Sequence, residues 1–156
     1  MISLFMMFVF GFFLLIATYA FHSGGEYLLL KRMQYERPWM AWIPLANYYA
    51  LADAATRGLK TVRFYKWEIK AESFRFWIAA AIVANFVPII GGLAMTAIIT
   101  ICRYICCSRI FAYCENKSQD KVNGISWVSA VIYTVATIKF YIYGMDKKNQ
   151  QVTIDV

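Results

Sequence analysis

The sequence predicts an all-α fold: a polytopic helical membrane protein with three full spans and one proline-broken helix that is re-entrant or interfacial. Three observations carry this. Hydrophobic residues make up 61% of the 156-residue chain and the mean hydropathy is +0.51, above the range of soluble domains. The apolar residues gather in runs over 1–21, 76–102 and 125–143, which at about 1.5 Å per helical residue match the roughly 30 Å of bilayer hydrocarbon. Aromatics, 18% of the chain, fall where these runs meet charge, as at Tyr19, Trp39, Trp67, Trp77 and Tyr104. Amphipathic rings settle at that depth. The chain 1–156 reads as a single membrane domain, and four full spans is the alternative arrangement.

The run 1–21 carries no charge and is predicted as a retained first span, because a signal peptide needs a basic n-region and no Lys or Arg precedes Lys31. Ser23-Gly24-Gly25 then predicts a flexible stretch, followed by Lys31, Arg32 and Arg37. The positive-inside rule puts this loop in the cytoplasm and the N-terminus outside.

The segment 39–56 is apolar but interrupted. Pro44 lacks a backbone N–H and biases Ile43 away from helix, so the helix breaks there. Asn47 is placed to satisfy backbone groups freed by that break. The segment 57–75 is the most basic, with Arg57, Lys60, Arg63, Lys66, Lys70 and Arg75 predicted to contact lipid headgroups. Between Tyr65 and Lys70 apolar and charged residues alternate with period two, yet helical stripes also fit, so strand and helix both stay open. If 39–56 crossed fully, these cations would lie opposite Lys31, Arg32 and Arg37 and the orientation bias would vanish. If 39–56 returns to its own side, loops 22–38 and 57–75 join Lys147 and Lys148 in the cytoplasm, against the loop 103–124 outside. The charge rule favours that arrangement.

In 76–102, Pro88, Gly91 and Gly92 predict a kink inside one span. The segment around Pro44, Trp42 to Asn47, echoes Phe86 to Gly91 around Pro88. Residues 103–124 read as a polar loop, and 125–143 as the last span, with Lys139 snorkelling to the interface. The tail 144–156 carries Val152, Ile154 and Val156 in alternation, a strand that could pair with 65–70. The four cysteines, Cys102, Cys106, Cys107 and Cys114, lack the paired spacing of a zinc site and read as buried small hydrophobes. No metal and no other cofactor is expected.

The net charge is +7. The basic residues sit beside apolar segments, so anionic membrane lipid is the expected partner and nucleic acid is not. Small residues such as Ala50, Ala54, Ala80 and Ala84 suit close packing with a protein partner or a second copy.

The stretch Trp39, Ala41, Ile43, Pro44, Asn47 and Tyr49 resembles a W-x-A-x-I-P-x-x-N-x-Y motif of small multi-spanning bacterial membrane proteins of uncharacterised function. The likeness covers about residues 30–110 and departs at Asp53 and in the long basic insert after Arg57. It implies a bacterial inner (plasma) membrane and no chemistry.

Ionisable candidates near apolar segments are His22, Glu26, Asp53 and Lys139. No catalytic pattern accompanies them, so no catalytic residue is assigned. Asp53 with Arg57 four residues later reads as a helical ion pair, and Asn47, Asp53 and Arg57 are the candidates for a polar core or pathway. The expected role is a non-catalytic scaffold or accessory subunit of an inner-membrane complex. The alternative is a small channel or transporter with its pathway near the broken helices at Pro44 and Pro88. A lipid-acting enzyme using His22 or Asp53 stands third.

Overall fold

The first apolar run and the glycines after it form one unbroken helix, α1 (Ile2–Arg32), in a computed structural model that describes residues 2–146 apart from 66 and 89. The predicted flexible stretch at Ser23-Gly24-Gly25 is corrected: the glycines serve contact, not bending. A Cβ on Gly25 would meet the Thr137 carbonyl oxygen at 3.1 Å, and one on Gly24 would strike the Tyr141 hydroxyl. The last described helix crosses α1 there. α1 ends in a Schellman arrangement, with Gln34 left-handed (φ 51) and the Tyr35 N–H donating to the Leu30 carbonyl at 3.0 Å.

The chain then turns back along α1. A short 3₁₀ helix, Pro38–Trp42, runs far enough for the Tyr19 hydroxyl to donate to the Trp42 carbonyl at 2.9 Å. Leu45, left-handed at φ 71, follows Pro44 and starts α2 (Ala46–Thr56). α2 brings Arg57 back to the α1 terminus, where it donates to the Gln34 carbonyl at 3.3 Å. From Arg32 to Tyr19 is about 20 Å along the helix axis, so the segment 39–56 goes in and returns to the end it left. Its 11-residue helix rises about 16 Å.

The basic segment is a hairpin of β1 (Thr61–Phe64) and β2 (Trp67–Lys70), antiparallel with Val62 opposite Ile69. Of the two periodicities open in 65–70, the strand is realised. Val62 is fully buried, and Phe64 and Tyr65 lie against Tyr104 and Trp127. The strand predicted in the tail lies outside the described residues, as do Lys147 and Lys148.

The run 76–102 is not one span. After α3 (Ala71–Arg75), α4 (Trp77–Ala84) goes out and α5 (Gly91–Glu115) comes back. Ile78 and Cys102 line one cavity, while a Cβ on Gly91 would sit 2.6 Å from the Ala84 carbonyl oxygen, so the pair is antiparallel. Pro88 lies in the turn between them. Gly91 is required for its closeness; Gly92, with nothing within 4 Å, is not. The polar loop predicted over 103–124 is corrected too, since α5 continues to Glu115. α6 (Gln119–Val131) returns beside α5, Tyr104 meeting both Asn123 and Trp127.

The predicted span 125–143 breaks at Ile132, and α7 (Tyr133–Met145) follows. α7 meets α5 in chain order, Tyr133 at Arg103, Phe140 at Phe111, Tyr143 at Glu115, so it runs in the same sense as α5. α1, α2, α5 and α7 therefore finish at one end of the molecule. There Arg32 donates to the Tyr143 carbonyl and Lys139 pairs with Glu115. Lys117, beside Glu115 at 2.8 Å, stands at the same end as Arg32, which the three-span layout puts on the opposite side. Between the helices lies the core, built on Leu29, Phe74, Ile105, Phe111 and Phe140, with Cys102, Cys106 and Cys107 buried in it. Seven α-helices and one hairpin are described. Among the described residues two helices, α1 and α5, are long and apolar enough to cross a membrane.

Candidate functional site

Two charged groupings stand out, one at the charged end and one inside the core. At the charged end, Asp53 does not pair with Arg57 as the spacing predicts. Its Oδ1 accepts from Arg75 Nε at 2.9 Å and its Oδ2 from the Tyr35 hydroxyl at 2.9 Å. The hairpin β1–β2 returns the chain to α2 and puts Arg75 within reach, a partner that helical spacing cannot reveal. Arg57 instead bonds the Gln34 carbonyl. Together Asp53 and Arg57 line an open cleft of about 250 Å³ with Tyr35, Arg37, Met40 and Tyr49. Lys60, Arg63 and Lys70 are exposed, Arg75 is drawn inward, and Lys66 is not among the described residues.

Burial first, then the hydrogen bond and charge of Asp53, push the Tyr35 phenol well above its usual range. The unfolded chain releases this proton near pH 10. A raised folded value leaves the contribution whole below about pH 10 and removes it as pH rises through the folded value. The alkaline arm of a stability–pH profile, followed by circular dichroism, is thus expected to fall more steeply for the native chain than for Tyr35→Phe.

The second grouping lies among α1, α2, α5 and α7, with Asn47, Arg103, Tyr133 and His22 half-buried around one buried carboxylate. Glu26, on α1, is 1% exposed. The Tyr133 hydroxyl donates to its Oε1, and the Asn47 side chain faces it from α2 without closing a bond to Oε2. Arg103 lies over the Tyr133 ring, 4.3 Å from its centroid, and donates to the Tyr48 hydroxyl at 2.7 Å. One helical turn before Glu26, His22 Nδ1 bonds Thr137 Oγ1. Thr137 Oγ1 also lies 3.1 Å from the Tyr133 carbonyl oxygen. A carboxylate and a guanidinium share this core without direct contact. Burying a carboxylate costs several kcal/mol unless geometry compensates, which makes Glu26 a functional candidate.

Of the predicted site residues, Asn47 belongs to this centre, Asp53 and Arg57 to the cleft, and Pro44 and Pro88 to exposed turns. Glu26 and His22 stood among the ionisable candidates without a role, and Arg103 stood as the first residue of a loop. A signal for Arg103 exists in hindsight: Arg103, Cys106 and Cys107, then Ile110, recur at helical spacing and continue the apolar run. Lys139, predicted to snorkel, is half-buried against Glu115 and the Tyr143 hydroxyl. Among the described residues no group of three His, Cys, Asp or Glu side chains is disposed to hold a metal ion. Compared with protein-family models, curated proteins and solved structures, the chain matches none.

Proposed function

We propose that the chain is a non-catalytic membrane protein, an accessory subunit or scaffold that holds a charged helical body against the inner membrane. The observation that carries this is the separation of the surface into two ends. From Phe5 to Ile16, α1 exposes large apolar side chains on every face, Met7 at 71% and Phe8 at 74%. The turn α4–α5 exposes Phe86 at 81% and Leu93 at 77%, and the turn at Pro44 exposes Trp42 and Leu45. No described charge lies at these turns. In water such a surface would aggregate; in lipid it is the favoured boundary.

Residues 2–21 of α1 take up about 30 Å, the hydrocarbon thickness, which sets the bilayer edge near Tyr19, His22 and Trp42. In this reading α1 crosses, the α4–α5 hairpin dips in, the segment 39–56 lies at the edge, and the charged end faces the cytoplasm and its anionic lipids. A protein partner or second copy packs against the exposed face of α1.

A second reading, a small channel or transporter, is favoured by one observation, the charged centre beside Asn47. Pro44 and Pro88 weigh against it, since both are exposed.

Impermeant thiol labelling of Arg32→Cys, Lys60→Cys and Lys117→Cys, each in a cysteine-free background, tests the arrangement. All three are expected to react from one compartment; Lys117→Cys reacting from the opposite side to Arg32→Cys would overturn it. A stoichiometric protein retained in mild detergent supports the accessory role, whereas ion flux in proteoliposomes carrying the pure chain favours the transporter.

A further inference from the structure

The β1–β2 hairpin carries rings that its own packing does not use. Val62 and Phe64 turn towards the body of the protein, and Ile69 and Trp67, their partners across the hairpin, share that face. Val62 is fully buried and Phe64 lies against Tyr104 and Trp127, yet Trp67, at the tip, is 74% exposed. Tyr65, in the turn, is 59% exposed, and its hydroxyl accepts from the Trp127 indole N–H at 3.2 Å. Burial gives no reason for two large rings at the end of a basic hairpin.

The depth of the tip gives one. The hairpin starts beside Thr56, at the charged end where Arg57 bonds Gln34, and its four-residue strands extend about 10 Å from there. The tip meets Tyr104. Arg103, next to it, lies over the Tyr133 ring, whose centroid is 5.2 Å from that of His22. That is the level at which α1 leaves the hydrocarbon. Two other elements mark the same level. On α5 the uncharged run from Gly91 ends at Cys102, directly before Arg103. On α6, Trp127 is followed by the exposed apolar side chains of Val128, Val131 and Ile132.

We infer that Tyr65 and Trp67 seat the hairpin tip in the phospholipid headgroup layer, with Arg63 at the lipid phosphates. Phenol and indole rings settle at that depth because each has an apolar body and a hydrogen-bonding edge. Arg63 is exposed beside them; its Nε donates to the Tyr65 carbonyl at 2.9 Å, and its other guanidinium donors suit phosphate oxygens. Glu68 stands opposite Arg63 in register and offsets part of its charge, so the rings carry the attachment. Of the basic residues expected at headgroups, this places Arg63 there, while Arg57 and Arg75 are held at the charged end by Gln34 and Asp53. The inference rests on the membrane reading and adds to it an attachment on the α5–α6 side of the molecule.

Depth-dependent quenching of tryptophan fluorescence tests it, with the full chain in phospholipid vesicles whose acyl chains carry bromine either near the glycerol backbone or near the chain end. The difference between the native chain and Trp67→Phe isolates the Trp67 indole, and far-UV circular dichroism checks that the variant folds. Phe12→Trp, added to Trp67→Phe, reports on the middle of α1 in the same vesicles. The Trp67 signal is expected to lose more intensity to the shallow bromine than to the deep one, and the Phe12→Trp signal more to the deep one. Trp67 unquenched by either lipid while Phe12→Trp is quenched would overturn the inference and leave the membrane reading standing, the indole then meeting water or a protein. Strongest quenching of Trp67 by the deep bromine would overturn it as well. Both signals unquenched would remove the membrane reading, and the inference with it.

Discussion

Arg103→Ala is expected to destabilise the protein by about 1–3 kcal/mol, the cost of leaving buried polar groups without their partner. Arg103 is a cation whose charge acts on Glu26; it also covers the Tyr133 ring and holds the Tyr48 hydroxyl. Its loss therefore strands a carboxylate that is 1% exposed and removes the guanidinium that ties α5 to α2 and α7. Glu26→Gln is expected to cost less, because the amide keeps the Tyr133 hydrogen bond and drops the charge. The double variant Glu26→Gln/Arg103→Met should recover most of the loss, since an apolar replacement of similar volume spares both desolvations. Denaturant titration in detergent, with the four proteins compared as a cycle, measures the coupling. Additive single and double variants would mean that the two groups do not interact.

Gly144→Leu should open the contact between α1 and α7. A Cβ at Gly144 would sit 2.7 Å from Leu28 Cβ and 2.9 Å from the Leu28 carbonyl carbon, so backbone must move, not the end of a flexible side chain. Over-packing of this kind costs about 1–3 kcal/mol and more where helices cannot slide. Displacing α7 also draws Tyr133 off Glu26 and Thr137 off His22. The control is Gly11→Ala, where a Cβ meets nothing within 4 Å; there the better helix propensity of alanine is expected to hold or slightly raise stability. Thermal unfolding of both variants in one detergent separates crossing from propensity.

Much of the helical character is legible because local rules decide it. Pro44 breaks its segment wherever that segment lies, and Pro88 with Gly91 permits a turn that tertiary packing then closes completely. What was hidden depends on partners distant in sequence. Gly24 and Gly25 look like a hinge until Thr137 and Tyr141 are set against them. Asp53 has a favourable cation four residues on, yet Arg75 arrives by way of a hairpin and takes its place. Arg103 carries the usual mark of a loop, and only Tyr48 and Tyr133, from two other helices, draw it halfway into the core. The charge count misplaced 103–124 for the same reason, since a helix that continues unseen moves Lys117 from one end of the molecule to the other.

The lodging of α7 against Gly24 and Gly25 of α1 has a consequence for biosynthesis. The half of α1 around Gly24 and Gly25 finds its packing surface in α7, 115 residues further on for His22 and Thr137, so it waits, with Ser23 and Glu26 uncovered, until α7 has been made. Contacts so distant in sequence slow folding and prolong exposure to proteases. Nascent chains halted before Tyr133 are accordingly expected to be degraded, while chains halted after Met145 survive.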